Sequence, residues 1–390
     1  MVGTVPARPM RQNADMDLVV AADDRTGAFE VAGRLADVGN GPVTVTAWPN
    51  LPDADEVSGD EAGLVTVVDL ASRHLSPREA RHRATSLGRG ARAGHKIDSA
   101  LRGNWADELA GRAEQSPVLL VPALPEFGRV CIGGEVLDHG RPVHEGSAGS
   151  DVRRRVTSSH PADLLRAAGV GIVGEVADLE RLAAWLADPV GAVVADAQSD
   201  DDISRILELW ESSAGDVVLA GPSSVVGRAR VGDLPATPLP EHRGPVLLVC
   251  GSVHPSARAQ LAFLERRGTP VTTLADDITA HQLADHGAVV LVTEIPVGDV
   301  DEPMAIAAAA SLARGVADLR SRVDIAALVV IGGDTAAAVL GGGSAVVHGT
   351  AGPGTAWATV GDDPLPVITR SGGFGSEAAL DELLRDLQRP

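Results

Sequence analysis

The densest chemistry in this sequence lies in three short segments before residue 130. The first, Ala22-Asp23-Asp24-Arg25-Thr26-Gly27-Ala28, sets two adjacent carboxylates and a guanidinium behind Leu18 to Ala22, an apolar run that reads as a buried strand. Ligands of open α/β sheets gather at the carboxyl ends of the strands, so Asp23 and Asp24 can meet a substrate hydroxyl or a magnesium-bound phosphate there. Helix capping by Asp24 or Thr26 accounts for the same residues. The second segment runs from Lys96 to Asn104 and brings together the ammonium of Lys96, the hydroxyl of Ser99, the guanidinium of Arg102 and the amide of Asn104. Such a set can grip the carboxylate and hydroxyls of a small acid. The plainer alternative is an N-cap with a surface ion pair between Asp98 and Arg102. Lys96 is the only lysine in the chain, and a position that keeps lysine where arginine is otherwise used favours a need for a compact ammonium. In the third segment, Pro122 to Arg129, two prolines stiffen a loop that either aims Arg129 at a ligand or simply connects two elements.

The second half carries loops of small residues at the ends of apolar runs: Gly251-Ser252, Gly332-Gly333-Asp334-Thr335, and Arg370 to Gly375 with Gly372 and Gly373. A fourth, Gly349 to Thr355, contains Gly352 and Gly354. Exposed backbone N–H groups and helix N-termini in such turns hold phosphates. One loop of this kind is weak, because turns are glycine-rich anyway; several in one region point to a nucleotide site. The chain has no GxxxxGK[ST], no GxGxxG after its first strand, no HExxH and no GxSxG. Those absences disfavour a P-loop, a dinucleotide site, zinc proteolysis and α/β-hydrolase chemistry.

The elements needed to position these groups are legible as alternating short β-branched runs and helical patterns, the mark of βαβ units and mostly parallel sheets. The expected fold is α/β in two domains, each a mostly parallel sheet flanked by helices, with the active site in the interdomain cleft. Four prolines between Arg230 and Pro245 interrupt the pattern. That places domains at 1–230 and 246–390 with a linker at 231–245. Length, 390 residues with 44% hydrophobic and 22% charged, agrees with two globular domains. The net charge of −20 argues against a nucleic-acid partner and requires a local cluster of donors for any anionic substrate. Cys131 and Cys250 suggest neither a disulfide nor a zinc site, and are expected as buried free thiols. Residues 1–17 lack the apolar core of a signal peptide, and no apolar stretch reaches membrane-spanning length, so a cytoplasmic location is expected.

Taken in order, ADDRTGA (22–28), KIDSALRGN (96–104), PALPEFGR (122–129), GS (251–252), GGDTA (332–336) and RSGGFG (370–375) resemble the four-carbon acid sugar kinases along nearly the whole chain. The resemblance implies an N-terminal domain that binds a sugar acid, a C-terminal domain that binds ATP, and Mg²⁺-assisted phosphorylation of an erythronate, a threonate or an oxo relative. It assigns Asp23, Asp24 and Lys96 to catalysis and Arg25, Ser99, Arg102, Asn104 and Arg129 to the acid. Ser252, Gly332, Gly333, Asp334, Gly352, Gly354, Thr355, Gly372 and Gly373 fall to the nucleotide, and no metal ligand is assigned. The partners expected are the sugar acid and ATP, with no membrane and no nucleic acid; a homodimer is allowed but not legible. Four departures stand out: Arg25 for leucine, Ala100 for threonine, Arg370 for lysine, and a Gly149–Arg155 segment without the usual prolines. Arg25 and Arg370 motivate the alternative of a non-catalytic sugar-acid or nucleotide-binding homologue. For a working kinase, Asp23 or Asp24 is expected to orient the attacking hydroxyl, and closure about residues 231–245 is expected to bring the half-sites together.

Overall fold

A computed structural model describes residues 18–50, 65–87, 92–150, 155–213, 216–241, 244–273, 275–294, 302–352 and 354–388. The rebuilt segment at 149–155 therefore lies largely outside the described residues, as do Pro353, residues 242–243 of the linker and the first 17 residues. The first half opens β1 (Leu18–Ala22), α1 (Arg25–Asp37), β2 (Val43–Ala47), β3 (Val65–Asp69), α2 (Pro77–Thr85), β4 (Arg92–Lys96), α3 (Trp105–Ala113) and β5 (Val118–Leu120). It continues through a small hairpin sheet of β6 (Arg129–Ile132), β7 (Glu135–Asp138) and β8 (Arg141–Pro142). Then follow α4 (Pro161–Ala167), β9 (Val173–Val176), α5 (Leu179–Ala187), β10 (Ala192–Ala195), α6 (Asp200–Ser212), β11 (Val218–Gly221) and α7 (Ser223–Val226). The second half comprises β12 (Val246–Cys250), α8 (Pro255–Arg266), β13 (Val271–Thr272), α9 (Asp277–His286), β14 (Ala288–Val292) and α10 (Glu302–Arg322). It ends with β15 (Ala327–Ile331), α11 (Gly333–Leu340), β16 (Ala345–Gly349), β17 (Thr355–Val360), β18 (Asp363–Arg370) and α12 (Ala379–Leu387).

The apolar runs read as strands are buried on both faces, as parallel strands covered by helices must be. β1, β3, β4 and β11 are parallel neighbours, and so are β14, β12, β15 and β18. What the sequence pattern did not disclose is the junction. β17 pairs antiparallel with β18, β16 antiparallel with β17, and β16 antiparallel with β2, joining both halves into one sheet. The strands of the two halves consequently run in opposite senses. A flat sheet would leave their carboxyl ends on opposite edges; six strand steps from β1 to β15, each twisting roughly 20–25°, turn them toward one side.

Helix α1 locks this arrangement. Its Ala28, Val31, Ala32 and Leu35 share one buried core with Val43 and Val45 of β2 and with Ala345, Val347, Ala356 and Ala358 of β16 and β17. The linker is anchored at both ends. Asn40 donates to the Ala229 carbonyl at 2.9 Å and accepts from Val231 N at 2.8 Å, while Trp357 Nε1 donates to the Thr237 carbonyl at 3.1 Å. Cys131 and Cys250 are buried free thiols. Among the described residues no helix is long and apolar enough to cross a membrane.

Candidate active site

Ala22 of β1 stands in register with Asp69 of β3 on one side and Lys96 of β4 on the other. Whatever lies at the ends of these three strands must converge, and four charged groups do. Asp24 caps α1, its Oδ1 accepting from Gly27 N at 2.9 Å. Asp23, 1% exposed, faces inward and is forked by Arg73, whose Nε and Nη2 donate to its two oxygens at 2.7 and 3.0 Å. The remaining arm of Arg73 reaches Asp24 Oδ2 at 2.7 Å. Lys96 Nζ lies 3.7 Å from Asp23 Oδ1 and 4.0 Å from Asp24 Oδ1. Burial by itself would raise the Asp23 pKa, but the charges of Arg73 and Lys96 and the Arg73 hydrogen bonds outweigh it and hold the carboxyl below its ordinary range. Burial likewise works against charge on Lys96, and the two aspartates overcome it and raise its pKa.

Both readings of the second segment are realised in part. Arg102 does pair with Asp98, at 3.1 and 2.7 Å, and Asp98 also accepts from the Ala100 and Arg102 amides. Burial opposes ionisation of Asp98, yet Arg102, Arg73 and Lys96 keep it far below the usual carboxylate range. The pair sits in the wall of the cavity. Ser99 Oγ accepts from Arg129 Nη1 at 2.7 Å, which fixes Arg129 from the proline-stiffened loop. Asn104 does not line the cavity. Its Nδ2 donates to the Ser72 and Leu75 carbonyls at 2.7 and 2.9 Å and thereby shapes the loop that carries Arg73. Beneath that loop, Ser72 Oγ donates to Glu108 Oε1 at 2.6 Å, and Glu108 Oε2 meets buried His95 at 2.9 Å.

The glycine turns lie at the carboxyl ends of neighbouring β12, β15 and β18, beside the opposite wall. Gly332 has φ +103°, which only glycine adopts without strain, and starts α11. A Cβ on Gly333 would come within 2.6 Å of Asp24 Oδ2, so the first turn of α11 abuts the aspartate. A Cβ on Gly372 would lie 2.4 Å from Ser252 Oγ, leaving the two turns in contact. His254, N-cap of α8, lies against Gly373. Asp334 is largely exposed, 3.5 Å from His74 Nε2. Thr355 is buried and its hydroxyl donates to the Gly352 carbonyl at 2.7 Å, which holds the Gly352–Gly354 turn closed.

Two arginines singled out in the sequence point elsewhere. Arg25 is 2% exposed, donates to the Gly343 carbonyl at 2.6 Å and covers the Phe29 ring at 5.1 Å. It neither enters the cavity nor pairs with Asp24, because the first residue of α1 projects beneath the 341–343 loop. Arg370 is also buried and donates to the Phe374 carbonyl at 2.9 Å, bracing the turn from behind.

The cleft between the walls has about 410 Å³ of empty space, counting the part open to solvent at its mouth. Asp24, Glu30, Arg73, Lys96 and Arg102 line one side and Ser371 and Phe374 the other. Phe374 stacks obliquely on Phe127 at 4.5 Å, linking the halves at the rim. Sequence reasoning passed over Arg73, Glu30, Ser223, His254 and Ser371. Arg73 and Ser223 each follow the end of a parallel strand, a positional signal that was available. No group of three or more His, Cys, Asp or Glu side chains that could hold a metal occurs among the described residues. A magnesium ion therefore fits here as one carried mainly by phosphates, with Asp24 the cavity carboxylate that could meet it.

Comparison with known proteins places this geometry. The description of a sugar-binding N-terminal domain matches residues 18–229, and that of a nucleotide-binding C-terminal domain matches 247–380. A D-threonate kinase of Cupriavidus necator is 31% identical over 94% of this chain and 96% of its own length. A D-threonate kinase of Bordetella bronchiseptica is 30% identical over 95% and 96%. A 3-oxo-tetronate kinase of Cupriavidus necator is 28% identical over 99% of both chains. A solved Salmonella typhimurium protein, 19% identical, superposes with a TM-score of 0.73 over 95% of this chain and 98% of that one, a likeness of fold.

Proposed function

The chain belongs to the four-carbon acid sugar kinase family, and from that premise we propose that it transfers the γ-phosphoryl group of ATP to a hydroxyl of a tetronate such as threonate, erythronate or a 3-oxo relative. One observation carries the reading. The carboxylate and cation wall of residues 18–230 faces Ser371 and Phe374 of the second half across one cavity, and Gly333 stands against Asp24 at its side. Phosphoryl transfer demands alignment and charge stabilisation more than covalent chemistry, and this site supplies both.

The two aspartates divide the work. Asp23 has both oxygens held by Arg73 and a depressed pKa, so it is a poor proton acceptor and a good anchor for Arg73. Asp24 lines the cavity and faces the start of α11, so it orients the attacking hydroxyl and takes its proton as the new O–P bond forms and the bond to ADP breaks. Arg73 and Lys96, held cationic by their neighbours, offset charge on the transferring group. Ser99 and Arg102 receive the acid's carboxylate. The amides at the turns 251–252, 332–334 and 371–373 receive the phosphates, and Arg370 supports the last of these turns from behind. A Mg²⁺ ion carried by the nucleotide phosphates would supply charge neutralisation of the γ-phosphoryl group, and Asp24 is the cavity carboxylate that would hold it.

The residues that suggested a non-catalytic homologue, Arg25 and Arg370, bond to backbone carbonyls and leave the charged cluster whole. The test is ADP release with ATP, Mg²⁺ and a panel of D-threonate, D-erythronate and 3-oxo-tetronate, with the phosphoester identified by phosphorus NMR. Absence of acid-dependent ADP release across the panel would sink the reading.

A further inference from the structure

Glu30 lies almost two turns into α1, yet its side chain reaches the cavity instead of solvent. It is 6% exposed. Oε1 accepts from Ser223 Oγ at 2.6 Å; Oε2 has no partner among the described residues. A carboxylate fixed at one oxygen by Ser223 and open at the other toward a polar cavity is placed to accept a hydrogen bond from a bound ligand. Lys96, in the same wall, is the cation that attracts it.

The charge balance around it narrows what that ligand can be. The lining carries Arg73, Lys96 and Arg102 against Asp24, Asp98 and Glu30, three cations against three carboxylates. The cavity lining is thus charge-balanced before any ligand enters, with no surplus cation for a second ligand carboxylate. A single carboxylate can still be met at the Ser99–Arg102 side by directed donors, but a second one would have to lie against Glu30.

We propose that Glu30, oriented by Ser223, is the specificity-determining group of the acceptor site: it accepts hydrogen bonds from the hydroxyls of a monocarboxylic polyhydroxy acid and rejects a four-carbon dicarboxylic acid such as tartrate. This rests on the kinase reading above and adds to it the end of the acceptor that must be uncharged. Discrimination then comes from a repulsive element as much as from attraction.

The test measures binding apart from turnover. Titration calorimetry with a non-hydrolysable ATP analogue present compares the tetronates with tartrate isomers on the wild type, Glu30→Gln, Glu30→Asp and Ser223→Ala. The wild type is expected to prefer its best tetronate over tartrate by about 100-fold or more, and Glu30→Gln to narrow that ratio by at least about tenfold, chiefly through tighter tartrate binding. Glu30→Asp keeps the charge and keeps the preference. Ser223→Ala weakens tetronate binding several-fold without admitting tartrate, and so tests the idea even if the glutamine variant misfolds. Equal binding of tartrate and tetronate by the wild type, or an unchanged ratio in Glu30→Gln that still binds the nucleotide analogue, overturns the proposal. Selective tetronate binding without phosphoester formation would instead leave Glu30's role standing and remove the kinase reading.

Discussion

Arg73→Ala offers the sharpest test of the electrostatic design, because it removes one side chain that contacts Asp23 and Asp24 at once. Asp23 is then buried at 1% exposure with Lys96 at 3.7 Å as its remaining cation. Removing one partner of a buried, hydrogen-bonded pair costs about 3–5 kcal/mol. With an unfolding entropy of about 2.1 cal/mol/K per residue over 390 residues, that loss lowers Tm by about 4–6 °C. The pH dependence carries a distinct sign. In the wild type Asp23 has a folded pKa below its unfolded 3.8, so its contribution is present above pH 4 and is lost only as pH falls through the lowered value. Without Arg73, burial dominates and lifts that pKa above 3.8, so the variant loses stability as pH rises past 4. The gap in Tm between wild type and variant should widen from pH 4.5 to pH 7.5. Thermal melts at those two pH values read it directly. Turnover should fall about 10²–10³-fold, and Arg73→Lys should recover part of the Tm but little of kcat, since an ammonium cannot fork Asp23 and reach Asp24 together. A variant that melts within about 1 °C of wild type at both pH values, or with an equal deficit at both, refutes the reasoning.

Further outcomes follow from single contacts. Gly333→Ala places a methyl 2.6 Å from Asp24 Oδ2, which Arg73 holds in place, so Asp24 must shift against Arg73; kcat should drop at least about tenfold and Tm should fall by less than in Arg73→Ala, and steady-state kinetics beside a thermal scan decide it. Asp69, whose pKa burial pushes up to about 6, costs stability once pH passes from its unfolded 3.8 through 6. Asp69→Asn should therefore gain up to about 3 kcal/mol, or about 3–4 °C, above pH 7 and nothing near pH 4, measured as paired melts. Asn104→Ala leaves the Ser72 and Leu75 carbonyls without their side-chain donor, at about 1–3 kcal/mol. It should speed hydrogen exchange at residues 71–76 and reduce kcat with little change in KM for ATP.

How far the sequence could be read depended on whether a group is placed by its own strand or by a neighbour's. Asp24, Lys96 and the Gly332–Gly333 turn follow their own strands, and local pattern located them. Arg73 gains its position from the pairing of β1 with β3, and Ser223 from that of β11 with β4, so neither could be joined to Asp23 without knowing strand order. Glu30 was masked by helical context, where an acidic residue reads as solvent-facing. Arg25 shows the reverse failure. Its proximity in sequence to Asp24 suggested a shared ligand, but helix geometry directs adjacent residues to different faces.

The expectation of closure about residues 231–245 meets a physical obstacle in the way the halves are joined. Rigid-body hinging needs an interface that can part, and here α1 shares one dry core with β2, β16 and β17 while β2 and β16 are paired in the same sheet. Opening that junction would expose Val43, Val45, Ala345 and Val347 together and break backbone hydrogen bonds. The first part of the linker is tied as well, Asn40 holding Ala229 and Val231 to the first half and Trp357 holding Thr237 to the second. The walls already touch where Gly333 meets Asp24. Access to the cavity must then come from smaller parts at its rim, and the turn from Ser371 to Phe374 is the segment with the right placement: it lines the cavity, contacts the first half through the Phe127 ring, and hangs from Arg370 by a single hydrogen bond at Phe374 and from Gln260 by another. Gly372 and Gly373 give this turn the backbone freedom that a movement over the acid site would need.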